Sequence, residues 1–232
     1  MAIRDISDAK IKSALDRYIS SIPTSNGSAN DSRDASFDHC FNYFQSFNES
    51  SRVPALAEAN NLHASCLHIA FFLASWGMYR GSSFLLQHSA HFYVDLIRFI
   101  SSTDSRLWKI DVDHYDDESI ERLVECGARI KDVLKPGGTA SPTLVTKIML
   151  GVFANVPAFD DYFVKGLRIY WNGDGARTLR NISVFYNQHK SLIDEIEISA
   201  CDFASGERKG KRYTKAKIID MIGWALGKEP NL

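Results

Sequence analysis

Glycine and proline cut this chain into stretches of helix length, and no stretch between them alternates polar and apolar residues with the period of a strand. The breaks fall at Gly77 and Gly81, at Pro136-Gly137-Gly138, at Pro157, and at Gly173 with Gly175. Within the stretches apolar residues recur every three or four positions, as in Ile3, Ile6, Ile11, Leu15, Tyr18 and Ile19. Helices are therefore predicted over 3–20, 35–47, 54–75, 83–100, 118–134, 143–155, 160–171, 176–197 and 214–226. The expected architecture is all-α, one globular helical unit over 1–232 built as one large domain or two closely packed lobes. With 45% hydrophobic and 12% aromatic residues, 232 residues can bury such a core. Residues 21–34, rich in Ser, Asn, Asp and Gly, are expected to form a mobile loop.

Several classes fall away at once. No apolar run reaches membrane-spanning length and the N-terminus has no signal-peptide pattern, so no membrane is expected and the chain reads as soluble and cytoplasmic. Cys40, Cys66, Cys126 and Cys201 are too scattered for a CxxC zinc pair or an iron-sulfur cluster, and are expected to be reduced core thiols. There is no phosphate-binding GxxxxGK[ST] loop, no dinucleotide fingerprint after a strand and no GxSxG elbow.

The most informative segment is 143–168, TLVTKIMLGVFANVPAFDDYFVKGLR. It reads as a helix bearing a lone lysine, a turn through Val156-Pro157, and a second helix opening on a carboxylate. Pro157 ends the first helix because it lacks an amide proton and biases Val156 out of the helical region, while Asp160 or Asp161 can cap the second. Lys147 is the only charge from Thr143 to Phe159. This arrangement resembles the helix-hairpin-helix DNA glycosylases of the endonuclease III superfamily. There a Thr-Lys or Arg-Lys pair leads through a Val-Pro-x-x-Asp turn to the catalytic aspartate, with a basic residue a little over one turn later. The matching residues are Thr146, Lys147, Val156, Pro157, Asp160 and Lys165. The family's Leu-Pro-Gly-x-Gly hairpin is absent just before Lys147, the nearest glycine-rich stretch being Lys135-Pro136-Gly137-Gly138, and the stretch from Lys147 to Asp160 is about a turn short.

The resemblance implies a helical DNA-glycosylase-like fold, of two closely packed lobes, that flips a modified or damaged base out of double-stranded DNA and cleaves its N-glycosidic bond, in base-excision repair or in defence against modified foreign DNA. Asp160 would be the catalytic carboxylate and Lys147 the nucleophile of a bifunctional enzyme, with no cofactor. Each residue also has an ordinary reading. Aspartate is a preferred helix cap, and a lone lysine on an apolar helix usually snorkels to the surface. Capping and catalysis are compatible, because a helix N-terminus favours an ionised carboxylate, which an oxocarbenium-like transition state needs beside it.

Two further segments bear on binding. Residues 73–87, LASWGMYRGSSFLLQ, place large aromatics between two glycines at a helix junction. Trp76, Tyr79, Arg80, Ser82, Ser83 and Gln87 could stack an extruded base and read its edge; the alternative is a tight corner with Trp76 and Tyr79 buried. The net charge of −1 conceals a division: residues 1–164 hold 15 Lys/Arg and 20 Asp/Glu, residues 165–232 hold 12 and 8. In the second part Arg208, Lys209, Lys211 and Arg212, followed by Lys215 and Lys217, could contact DNA phosphates or form a solvated loop. His88, His91 and Asp95 fall on one face of the predicted 83–100 helix, with His63 and His68 nearby, and raise a competing metal site, although no HExxH-like signature accompanies them and no metal is expected. A reading of another class is a non-catalytic all-α module that binds protein or nucleic acid through the 76–87 corner and the 208–217 loop. Proximity separates the two, because a glycosylase must gather Asp160, the 73–87 segment and the hairpin before Lys147 around one cleft.

Overall fold

Polar side chains set where most of the major helices begin. In the computed structural model, which describes residues 5–22, 32–171 and 173–229, Ser7 caps α1 (Asp8–Ser20), Asp116 caps α5 (Asp117–Leu134) and Ser141 caps α6 (Pro142–Phe153). Asp160, Asp174 and Thr214 do the same for α7 (Asp161–Leu167), α8 (Gly175–Gln188) and α10 (Lys215–Gly227). Each side-chain oxygen accepts a backbone N–H that the first turn would leave unpaired. The remaining helices are α2 (Ala35–Glu49), α3 (Ala59–Ser75), α4 (Val94–Ser101) and α9 (Lys190–Glu195). The fold is all-α, and the described residues contain one isolated antiparallel bridge, Ser199 with Arg212.

Helix α6 is buried from Leu144 to Phe153 and packs against α2, α3 and α5. Buried apolar side chains form one cluster running from Ile11 in α1 to Leu226 in α10. Helix α7 lies against α10 in the most extensive helix pairing among the described residues. Glycines permit it: a Cβ on Gly166 would stand 2.0 Å from the Gly223 carbonyl oxygen, and one on Gly227 would stand 1.8 Å from that of Tyr162. All four cysteines are buried free thiols. No helix among the described residues is long and apolar enough to cross a membrane.

Several predicted elements differ. The helix expected over 83–100 is two 3₁₀ turns, Phe84–Gln87 and Ala90–Tyr93, followed by α4, with His88 and Ser89 extended between the turns. Tertiary packing overrides the periodicity here, because Phe84, His88 and Phe92 converge on the Gly137-Gly138 turn. That break removes the helical face on which His88, His91 and Asp95 were aligned. The helix expected over 176–197 breaks at His189, whose Nδ1 lies 2.5 Å from Asp8 Oδ1 on α1. Ser7 caps α1 at Asp8, so residues 5–7 of the helix expected over 3–20 precede it, and residues 3 and 4 lie outside the described residues. Of the loop expected over 21–34, residues 23–31 lie outside the described residues.

Candidate active site

The site begins with how α3 ends. Gly77 adopts φ +76°, which lets its N–H bond the Ala74 carbonyl at 3.0 Å while Met78 N–H reaches back to Leu73 O at 2.9 Å. This is a Schellman stop, and it makes Trp76 the C-cap. Lys147 on α6 takes up the freed Trp76 carbonyl, its Nζ donating at 2.9 Å. A cation is favoured there because the C-terminal end of a helix carries the negative pole of its dipole.

The Val156–Asp160 turn is held from three sides. Thr143 Oγ1 donates to Phe159 O at 2.8 Å, Thr146 Oγ1 accepts from Phe159 N at 3.1 Å, and Asp220 Oδ1 on α10 accepts from Ala158 N at 3.0 Å. Thr146 thus fixes the turn while its neighbour Lys147 points at what the turn carries. Asp160 caps α7 through Oδ1, which accepts from Phe163 N at 3.0 Å, leaving Oδ2 3.7 Å from Lys147 Nζ. Asp161, the other possible cap, is exposed and caps nothing. Lys147 and Asp160 keep 7% and 18% of their side-chain surface exposed, so the pair is largely desolvated yet reachable.

Burial acts on both partners toward neutrality. It lowers Lys147 below its ordinary value, against the opposing pull of Asp160 and Asp220, and it raises Asp160, with the Phe163 N–H pulling the other way. The two groups are thereby brought closer in proton affinity than a free amine and a free carboxylate.

A cleft of about 530 Å³ opens above the pair. Trp76, Arg80, Ser83, Lys147 and Asp160, all anticipated from sequence, line it together with Arg33, Ser141, Thr143, Tyr162, Trp224 and Lys228. Other anticipated residues lie elsewhere. Tyr79 turns inward and shares a 2.8 Å hydrogen bond with the buried Tyr93, Ser82 and Gln87 are exposed outside the cleft lining, and Lys165 is exposed on α7. The Trp76 ring is occupied rather than free: the Arg33 guanidinium sits 4.5 Å over it and Trp224 meets it edge-on at 6.2 Å, while its indole N–H has no hydrogen-bond partner.

The basic loop is internally balanced. Lys209 pairs with Glu207 at 3.0 Å, Arg212 with Glu197 at 2.7 Å, and Lys211 with Glu49. Arg208 donates to Ser199 O at 3.0 Å and approaches buried Asp38 to 4.0 Å. Lys215 pairs with Asp113 at 2.8 Å. Lys217 is 5% exposed and pairs with Asp220 at 2.9 Å, making a second buried lysine-aspartate pair behind the first. Sequence reasoning missed this second pair by counting Lys217 with the loop. Its signal was present, since after Lys215 at the first position Lys217 and Asp220 are the only charges in an apolar helix, much as Lys147 is in α6. Among the described residues no group of three or more His, Cys, Asp or Glu is placed to hold a metal ion.

No family model, characterised protein or solved structure matches the chain.

Proposed function

We propose that the cleft is the active site of a DNA N-glycosylase of the helix-hairpin-helix kind, in which a modified or damaged nucleotide extruded from double-stranded DNA presents its C1′ to Asp160 and Lys147. The observation that carries this reading is the 3.7 Å approach of Lys147 Nζ to Asp160 Oδ2 beneath an open cleft, brought about by two helices and the proline turn between them. The order of elements supports it too. Helix α5, the Lys135–Gly137 turn and α6 form a helix-turn-helix that delivers Lys147, and α7 follows with Asp160 as its N-cap.

In this reading the ionised Asp160 stabilises positive charge developing at C1′ as the bond to the base breaks and its electron pair leaves with the base. Lys147, as the neutral amine, attacks C1′; Asp160 takes the proton that the new C1′–N bond forces off the nitrogen, and the departing base takes one from solvent. The lowered affinity of Lys147 for its proton favours that amine. Tyr162, 45% exposed at the cleft, offers the ring on which the base stacks.

The test is incubation of the protein with duplexes that each carry one oxidised, alkylated, mismatched or otherwise modified base, followed by detection of abasic sites. Excision from at least one duplex by the wild type, lost in Asp160→Asn, is expected. Absence of excision from every duplex would leave the pair as a buried structural contact.

A further inference from the structure

Most cations near the site are already committed to carboxylates, as in the 208–212 loop and at Lys215 and Lys217. Arg33, Arg80 and Lys228 differ. All three are exposed, all three line the cleft, and none forms an ion pair among the described residues. Aromatic and glycine surfaces position them instead. Arg33 Cζ stands 4.5 Å over the Trp76 ring, and Lys228 Nζ stands 4.1 Å from the Trp224 ring centre and 5.7 Å from that of Tyr162. Arg80 folds back on Gly77, where an added Cβ would lie 3.0 Å from its Cζ. A cation held by ring faces is ordered without being neutralised, and keeps its N–H groups for an incoming anion. With Lys147 the cleft holds four cations against the two carboxylates Asp160 and Asp161.

We infer that Arg33, Arg80 and Lys228 form the phosphate grip of this protein, contacting the backbone phosphates on either side of the nucleotide in the cleft, and that the 208–212 loop does not contact DNA. The inference rests on the glycosylase reading for the identity of the ligand, a phosphodiester strand, but its chemistry is independent of cleavage. Phosphate contacts displace condensed counterions, so each contributes about 0.9 to the slope of log affinity against log salt. Paired loop cations gain less, since a phosphate must compete with Glu207, Glu49 or Glu197 for them.

The experiment is titration of a fluorescent duplex containing one abasic-site analogue at several salt concentrations, with three proteins: wild type, Arg33→Gln/Arg80→Gln/Lys228→Gln, and Arg208→Gln/Lys209→Gln/Lys211→Gln/Arg212→Gln. Circular dichroism melting confirms that each is folded. The cleft variant is expected to bind roughly a hundredfold more weakly at 0.1 M salt with a slope shallower by about 2–3, and the loop variant to match wild type. A loop variant that loses the slope while the cleft variant keeps it would overturn the grip, as would a wild type without salt-dependent affinity for the duplex. Salt-dependent binding through the cleft with no excision of any base would sustain the grip and remove the glycosylase reading instead.

Discussion

At the scale of single residues the proposed chemistry turns on two side chains whose protonation burial has moved in opposite directions. Asp160 must be ionised to stabilise the sugar cation, and burial raises it, so excision should fall on acidification at a pH above the ordinary carboxylate range. Lys147 must be neutral to attack, and burial lowers it, so borohydride trapping of a covalent protein-DNA complex should rise with pH and level off below the ordinary lysine value of 10.5. A pH-rate profile combined with trapping checks both limbs; a trapped complex that persists in Lys147→Gln would reassign the nucleophile. The aromatic residues divide in the same way. Tyr162→Ala should cost about 1–3 kcal/mol in binding to modified DNA and little in melting temperature, because Tyr162 is exposed at the cleft. Trp76→Ala should cost about 2–3 kcal/mol of folding stability, because its ring packs beneath Arg33 and against Trp224. Melting curves beside binding to modified and unmodified duplex separate the two, and equal losses at both positions would show that stacking has been assigned to the wrong ring.

Among the elements, the pairing of α7 with α10 matters most, since it sets the lysine-aspartate pairs side by side. Gly166→Ala would drive a methyl into the Gly223 carbonyl, where backbone rather than a flexible side chain must yield. The expected cost is about 3 kcal/mol, or roughly 6–12 °C in melting temperature for a chain of this size, with excision falling beyond the loss of folded protein. A thermally unchanged Gly166→Ala would mean that the helices can separate freely. How the chain announces these elements is uneven. The proline stop, the Asp160 cap and the lone Lys147 are local signals, and the α6-turn-α7 unit was legible for that reason. The stretch 83–100 misled because Phe84, His88 and Phe92 keep helical spacing while packing on a glycine turn some fifty residues away. Tyr79 misled similarly, since nothing near it in sequence names Tyr93 as its partner.

On the scale of the whole molecule, charge segregates in space differently from how it segregates along the chain. The basic second part of the sequence suggested a phosphate-binding loop, yet Glu49, far away in the chain, pairs with Lys211, and the cleft cations without an ion pair among the described residues come from positions 33, 80 and 228. Pairing across long sequence separations is invisible to a local charge count, which is why the loop was legible and its neutralisation was not. The same long-range convergence brings α3, α6, α7 and α10 around one cleft and underlies the proposal of base excision. Its most direct test is abasic-site formation in a panel of modified duplexes with wild type and Asp160→Asn side by side. An amide still accepts the Phe163 N–H and keeps the helix cap, so the variant should melt like wild type and bind the same DNA while excising at least about a hundredfold more slowly. A folded Asp160→Asn that excises as fast as wild type would contradict the account.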